Sequence, residues 1–268
     1  MDSDRVFRGS IPALYEEYLV PVQFETYAQE MAARLHGVPL GRVLETAAGT
    51  GVLTRAMAAA LPAEVTIEAT DLNQPMLDEA ARRLSSRRVS WRQADAQDLP
   101  FPDGGFDAVL CQFGAMFFSD RPRAFAEARR VLRPGGRYLL SVWDRIEQNE
   151  FADVMVNAVA RLFPEDPPTF TSRIPHALHD TRPLVAELKA AGFASVAVET
   201  VERTSTAPDA RFVAIGKCQG TPLRHEIEAR DATRLAEATE AAAAAVAARF
   251  GDGAIRGKLQ AHVLTAIR

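Results

Sequence analysis

Val43-Leu44-Glu45-Thr46-Ala47-Ala48-Gly49-Thr50-Gly51 decides the fold of this 268-residue chain. Apolar residues run into a string of small ones, which reads as a strand, a tight turn and then a helix over Val52–Leu61. Small side chains at 47, 48, 49 and 51 let the backbone turn sharply and approach a ligand closely. In an open α/β sheet, ligands sit outside the carboxyl ends of the strands, beside such a turn. Glycine-rich turns also serve nucleotide dehydrogenases, but a G-x-G-x-x-G fingerprint beginning at Gly49 requires glycine at 54, where the chain has Thr54. Glu45, at the end of the strand, would also repel a pyrophosphate.

Outward from this turn, short apolar runs alternate with helical patterns. Strands are expected at Arg42–Glu45, Val65–Ala69, Val89–Gln93, Phe106–Cys111 and Arg137–Trp143. Between them lie helical patterns at Gln74–Leu84 and Arg123–Leu132, the latter stopped by Pro134-Gly135-Gly136. Beyond residue 143 come a helix over Glu150–Phe163, a Pro- and Thr-rich loop over Pro164–Pro175 and a helix over Thr181–Ala191. A strand over Ser195–Arg203, helices over Asp209–Lys217 and Arg224–Phe250 and a strand over His262–Ile267 complete the chain. The Ala-rich stretch Leu235–Phe250 is read as ordered helix, because alanine is the strongest helix former. The pattern predicts an α/β fold, a doubly wound, seven-stranded, mostly parallel sheet with helices on both faces. It is expected to form one domain over 1–268: an N-terminal helical lid over 1–36, a core over 37–143, and helical insertions with the last two strands over 144–268.

Composition limits the function. A formal charge of -4 and a pI near 5.8 leave no cationic surplus for a nucleic-acid backbone. The basic pairs Arg82-Arg83, Arg87-Arg88 and Arg129-Arg130 are read as solvated helix ends. Cys111 and Cys218 provide neither a disulfide framework nor a cysteine zinc site, and Cys111, inside an apolar run, is expected to be a buried thiol. The polar start MDSDRVFRGS lacks the apolar core of a signal peptide, and no apolar run reaches membrane-spanning length. The expected protein is cytoplasmic, acting on a small molecule, with no nucleic-acid or membrane partner.

Several segments together resemble the class I methyltransferases that use S-adenosylmethionine (SAM), in particular their small-molecule, type 11 branch. Glu45 through Gly51 resembles the first motif of that family, with Ala47 where its first glycine stands. Asp71, about twenty residues on, resembles the acidic residue that accepts the ribose hydroxyls, although the same residue would serve a nicotinamide dinucleotide. Gln93-Ala94-Asp95-Ala96-Gln97-Asp98-Leu99-Pro100-Phe101 resembles the adenine segment. Asp103-Gly104-Gly105-Phe106-Asp107 and Leu132-Arg133-Pro134-Gly135-Gly136 complete the likeness in structural roles.

The resemblance implies SAM as cofactor and S-adenosyl-L-homocysteine (SAH) as product. It implies that Glu45, Ala47, Ala48, Gly49 and Gly51 wrap the methionine end, with Glu45 facing its amino group. Asp71 and Leu72 would lie at the ribose, Met76 beside the adenine or simply in the helix core. Asp95 would accept from the adenine amino group, partnered by the Ala96 N–H, with Asp98 left to cap the turn. Gln112 and Phe113 would flank the reactive methyl group, while Met116, Phe117 and Phe118 line a greasy acceptor pocket or belong to the core. No (N/D)-PP-(Y/F) signature of amino-group methylation of DNA or protein is present.

In-line methyl transfer depends on positioning, and an acceptor may be assisted by a base. His176 and His179 are the candidate bases, each equally readable as an ordinary surface or helix-start histidine. With Asp180 they lack a third ligand at zinc spacing, so no metal is expected. Tyr18 or Phe24, in the aromatic N-terminal stretch, is the candidate lid contact over the cofactor. Two other readings stay open: a catalytically silent SAM-binding protein, and an NAD-dependent oxidoreductase, for which no Tyr-x-x-x-Lys set is present.

Overall fold

The computed structural model describes residues 3–268; Met1 and Asp2, the first two positions of the expected lid, lie outside the described residues. In chain order the elements are α1 (Ile11–Leu14), a π-helical stretch (Tyr15–Phe24), α2 (Glu25–Ala33), β1 (Arg42–Thr46), α3 (Val52–Ala60), β2 (Thr66–Asp71), α4 (Gln74–Arg83), β3 (Val89–Gln93) and β4 (Phe106–Gln112). Then follow α5 (Arg121–Val131), β5 (Leu132–Trp143), α6 (Glu150–Ala160), α7 (Phe170–Arg173), α8 (Arg182–Ala190), β6 (Ser195–Ala207), α9 (Ala210–Gln219), α10 (Leu223–Arg230), α11 (Leu235–Phe250) and β7 (Ile255–Ile267).

The strands form one seven-stranded sheet in the order β3-β2-β1-β4-β5-β7-β6. The first five are parallel. β7 runs antiparallel to β5, since Gly135 and Gly136 exchange backbone hydrogen bonds with Arg268 while Asp144 N–H reaches Gln260. It runs antiparallel to β6 as well, with Ala194 bonded to Ile267 and Thr200 to His262. Every residue of β4 is buried, as a central strand covered on both faces requires. The order reverses between β1 and β4, which places the switch point at their carboxyl ends.

The chain gathers into two compact units. The sheet unit comprises Thr26–Val142, Leu178–Val201 and Ala261–Arg268. Its core is built on Leu44, Met57, Ile67, Leu77, Phe106, Phe125 and Tyr138, with the Tyr138 ring stacked on Phe193. The helical unit comprises Met1–Glu25, Trp143–Ala177 and Glu202–Gln260. In it the Ala-rich α11 is ordered and buries Ala238, Ala242 and Val246, small side chains that let α9 and α6 pack close. Pro21 lies inside the π-helical stretch; lacking an N–H, it cannot make the ordinary i→i−4 bond, and Glu25 N–H bonds Val20 five residues back.

Several boundaries differ from the sequence expectation; β6 runs on to Ala207 and α6 stops at Ala160. The predicted helix Arg224–Phe250 is two helices, broken where the Asp231 carboxylate accepts from the Thr233 N–H and hydroxyl. β7 begins at Ile255, because Arg256, Lys258 and Gln260 alternate with buried residues and dilute the apolar signal. β5 begins at Leu132, with Pro134-Gly135-Gly136 as an irregularity within it, Gly135 at φ +76°. The loop 164–175 contains one helical turn, α7, whose Thr169 and Phe170 N–H groups donate to Glu226. Arg82-Arg83 and Arg129-Arg130 do end α4 and α5, but Arg87-Arg88 form the turn into β3, where Arg88 donates to the carbonyls of Ala58, Leu61 and Pro62.

The two motifs read as structural meet at the amino ends of the central strands. Buried Asp107 accepts from the N–H groups of Gly41 and Arg42 and pairs with Arg133. A side chain at Gly136 would strike the Arg133 carbonyl at 2.8 Å and that of Asp107 at 3.0 Å, so that turn requires glycine. Replacing Asp107 strands two N–H donors and a guanidinium. D107A is expected to lose about 3 kcal/mol of stability, read as a melting temperature roughly 6–12 °C lower by calorimetry. A loss under about 2 °C would show that the clamp is dispensable.

Candidate functional site

The glycine turn leaves β1 inside the sheet unit. Ala47 adopts φ +54°, Gly49 +56° and Gly51 +81°, while the Ala48 N–H bonds the Thr70 carbonyl. Ala47 therefore holds a left-handed conformation that costs an L-residue roughly 1–2 kcal/mol. Gly51 is required twice over: its positive φ, and the Trp91 ring 2.7 Å from where a Cβ would stand. A Cβ on Gly49 would meet only the Met76 methyl, at 3.6 Å, so Met76 lies buried over the turn. The Thr50 hydroxyl is buried with no hydrogen-bond partner among the described residues.

Two buried carboxylates end the adjacent strands β1 and β2. Glu45, 1% exposed, accepts from the Thr54 hydroxyl at 2.5 Å. Asp71, 8% exposed, takes the Gly49 N–H on one oxygen and the Asn73 N–H on the other, both at 2.8 Å. Neither forms an ion pair with a Lys or Arg of the described residues. Burial pushes the Glu45 acid up to about 8, with the Asp71 charge adding to it and the Thr54 hydroxyl and Arg55 opposing it. Burial also raises Asp71, against the N–H groups of Asn73, Gly49 and Leu72. Beside Asp71, Leu72 is 48% exposed, an apolar side chain left in solvent at the sheet's carboxyl edge.

After β3, half-buried Asp95 forms the turn itself. It accepts from the Gln97 N–H at 2.9 Å and from the Gln97 side-chain amide, and the Asp98 N–H bonds its carbonyl. The capping role expected of Asp98 thus belongs to Asp95; Asp98 is exposed, 3.8 Å from Arg123. Ala96 lies half-buried in the same turn.

β4 ends at buried Gln112, and Phe113 follows at φ +51°, its N–H held by the Ser141 carbonyl at 3.1 Å. The Phe113 ring meets Tyr27 edge-on at 5.4 Å, and the Tyr27 hydroxyl bonds the Val201 carbonyl. Met116 is buried; Phe117 and Phe118 are half-exposed. Cys111 is a fully buried free thiol, as expected, pushed up to about 11 by burial.

The remaining sequence candidates divide between the units. Tyr18 packs on Phe212 at 4.8 Å within the helical unit, and Phe24 stacks on Tyr15 and meets Trp143 there. Buried His176, in the same unit, holds Nδ1 2.7 Å from the Asp144 carbonyl. A carbonyl only accepts, so Nδ1 carries the proton and Nε2 is the basic nitrogen of the neutral ring. His179 is exposed, in the sheet unit. No group of three His, Cys, Asp or Glu side chains among the described residues is placed to hold a metal ion, and no helix among them is long and apolar enough to cross a membrane.

Sequence reasoning missed Thr54, Asn73, Gln97 and Tyr27. Thr54 stands out in the sequence only as the missing glycine of a dinucleotide fingerprint, yet its hydroxyl is what holds Glu45. Gln97 lies within the quoted adenine segment, but its side-chain bonds to Asp95 show only in the fold, as does the meeting of Tyr27 with Phe113.

The buried glutamate makes stability depend on pH. Glu45 titrates near 8 in the folded protein against an ordinary 4.5, so the fold binds its proton more tightly than the unfolded chain does. Stability from this residue is complete below the lower value and falls as pH rises toward 8. E45Q, which still accepts from Thr54, should match the parent near pH ~4 and melt roughly 9–18 °C higher near pH ~8.5; equal melting at both pH values would contradict the burial argument. At the turn, a Cβ on Gly114 would collide with the Ala47 methyl and stand 2.9 Å from Cys111 Sγ. G114A is expected to lower the melting temperature by roughly 4–10 °C, and adding A47G should restore part of it; additive losses would refute the steric pairing.

Comparison with known proteins agrees with this geometry. The family described as "Methyltransferase domain" matches residues 43–136, from β1 to the glycines of β5. The ubiquinone/menaquinone biosynthesis C-methyltransferase UbiE of Burkholderia mallei is 40% identical over 116 residues, 41% of this chain and 48% of that protein. The chain thus spans about half the length of the curated relatives it matches. The YcgJ protein of Bacillus subtilis superposes with a TM-score of 0.55 at 22% identity, over 91% of this chain and 98% of that one. Phosphoethanolamine N-methyltransferase 2 of Haemonchus contortus gives 0.62 at 18% identity, over 99% and 59%. At these identities the structural likeness establishes the doubly wound fold. Residues 43–136 are thus similar to the methyltransferase domain family, on a fold shared with solved methyltransferase-like structures.

Proposed function

We propose that the protein transfers a methyl group from SAM to a small organic acceptor. The observation that carries this reading is the pair Glu45 and Asp71, buried carboxylates on adjacent strand ends with no Lys or Arg pairing among the described residues. A buried carboxylate without a counter-ion is costly to ionise, and a ligand presenting an ammonium group and a ribose diol compensates both. Asp71 Oδ1 accepts from the Asn73 N–H and side-chain amide, while Oδ2 spends one lone pair on the Gly49 N–H and retains another for a ribose hydroxyl. Ala47, Ala48, Gly49 and Gly51 give the methionine end a path along small residues, and exposed Leu72 offers the adenine an apolar shelf, with Met76 packed against the turn. Asp95 accepts from the adenine amino group, with the Ala96 N–H beside it.

SAM, when bound, supplies a methyl group already activated on a positive sulfur. What remains for this chain is to orient that group, which can contribute several kcal/mol, and Gln112 and Phe113 are the residues assigned to flank it. Of the two histidines, His176 is the one held in a defined tautomer, with Nε2 as its basic nitrogen. The UbiE relative is named a C-methyltransferase and the Haemonchus structure an N-methyltransferase; the acceptor here is assigned only as a small molecule. The silent SAM-binding reading shares every cofactor contact and is separated from this one by turnover alone.

Calorimetric titration with SAM, SAH and NAD tests the proposal. Micromolar binding of both adenosyl ligands is expected, weakened about tenfold to a hundredfold in D71A, followed by methylation in a screen of small acceptors. Preference for NAD, or no adenosyl binding, would overturn the reading of the turn.

A further inference from the structure

Gln97 joins two segments that the cofactor reading treats separately. Its side-chain amide donates to both Asp95 oxygens at 3.0 Å. Its side-chain carbonyl accepts from the Ser119 hydroxyl at 2.9 Å and from the Asp120 N–H at 2.5 Å. Arg123, one turn into α5, donates to the Gln97 backbone carbonyl at 2.7 Å, and Asp120 caps the same helix by accepting from the Arg123 N–H at 3.0 Å. The far end of the loop 113–120 is thus fastened to the turn that carries Asp95. Its near end is fastened to the glycine turn, where Gly114 presses on Ala47 so closely that no side chain fits between them. Between the two fastenings lie Phe117 and Phe118, half-exposed.

We propose that Gln97 is a positioning residue that links occupancy of the adenine segment to the order of the loop bearing Phe117 and Phe118. This rests on the SAM reading above. An amide suits that linkage because one end donates to a carboxylate while the other accepts from a hydroxyl and an N–H, which neither a carboxylate nor an ammonium can do. A ligand that draws on Asp95 polarises the Asp95–Gln97 bonds, and through them the bonds to Ser119 and Asp120. The aromatic loop is then held for the acceptor when the cofactor is in place.

Hydrogen–deuterium exchange of the full chain, with and without saturating SAH, tests this in the parent, Q97A and Q97E. Q97E can still accept from Ser119 and Asp120 but sets a like charge against Asp95; Q97A loses both sides. In the parent, SAH is expected to slow exchange both in 93–98 and in 114–120. Both variants should bind SAH about tenfold more weakly, and at saturation should show slowing in 93–98 without slowing in 114–120. A role confined to stability would change exchange equally with and without ligand. SAH-dependent slowing of 114–120 that persists in both variants, or that is missing in a parent protein which binds SAH, overturns the link. A parent protein that binds no SAH overturns the cofactor reading beneath it.

Discussion

Two carboxylates, buried side by side at the carboxyl ends of β1 and β2, are the constraint around which the sheet unit is arranged. Nothing in the hydrophobic core calls for them, and burial makes the charged form of each expensive. The chain tempers that cost locally. Thr54 donates a hydroxyl to Glu45, and the turn offers Asp71 the N–H groups of Gly49 and Asn73. What these contacts do not supply is a positive charge, so ionising both carboxylates calls for a partner from outside the chain, as the proposed ligand would provide.

The opposite ends of the same strands show the contrasting solution. There Asp107 is just as buried, but it is met by two N–H donors and by Arg133, and it ties β1 to β4. One carboxylate is consumed in holding the sheet together; the other two are held ready. The difference lies in the partners and not in the burial.

The sheet is legible in the sequence because its strands are short, apolar and separated by helices with clear stops. The turn is legible because its small residues stand where the backbone must adopt positive φ. Asp71 and Asp95 are singled out by their place after strands. Sequence and structure part where the local pattern is diluted or a side chain acts at a distance. β7 alternates Arg256, Lys258 and Gln260 with its buried residues, so its pattern becomes plain only at His262. Asp231 breaks a long helical pattern through an Asx turn. Tyr18 and Phe24 stand out as aromatics, yet the ring that meets Phe113 belongs to Tyr27, and no spacing rule selects it. The departure at Ala47 has its counterpart in Gly114, far along the chain, a pairing visible only in three dimensions.

The most direct test of this account is the number of protons exchanged when SAH binds near pH ~7. It is read from the apparent binding enthalpy in a series of buffers of differing ionisation enthalpy. Because Glu45 holds its proton up to about pH 8 in the empty site, an ammonium group arriving beside it should expel that proton. The account predicts release approaching about one proton near pH ~7, vanishing above roughly pH 9 and absent in E45Q. Binding at neutral pH with no proton released, or with a proton taken up, would contradict the claim that the buried glutamate answers the ligand's positive charge.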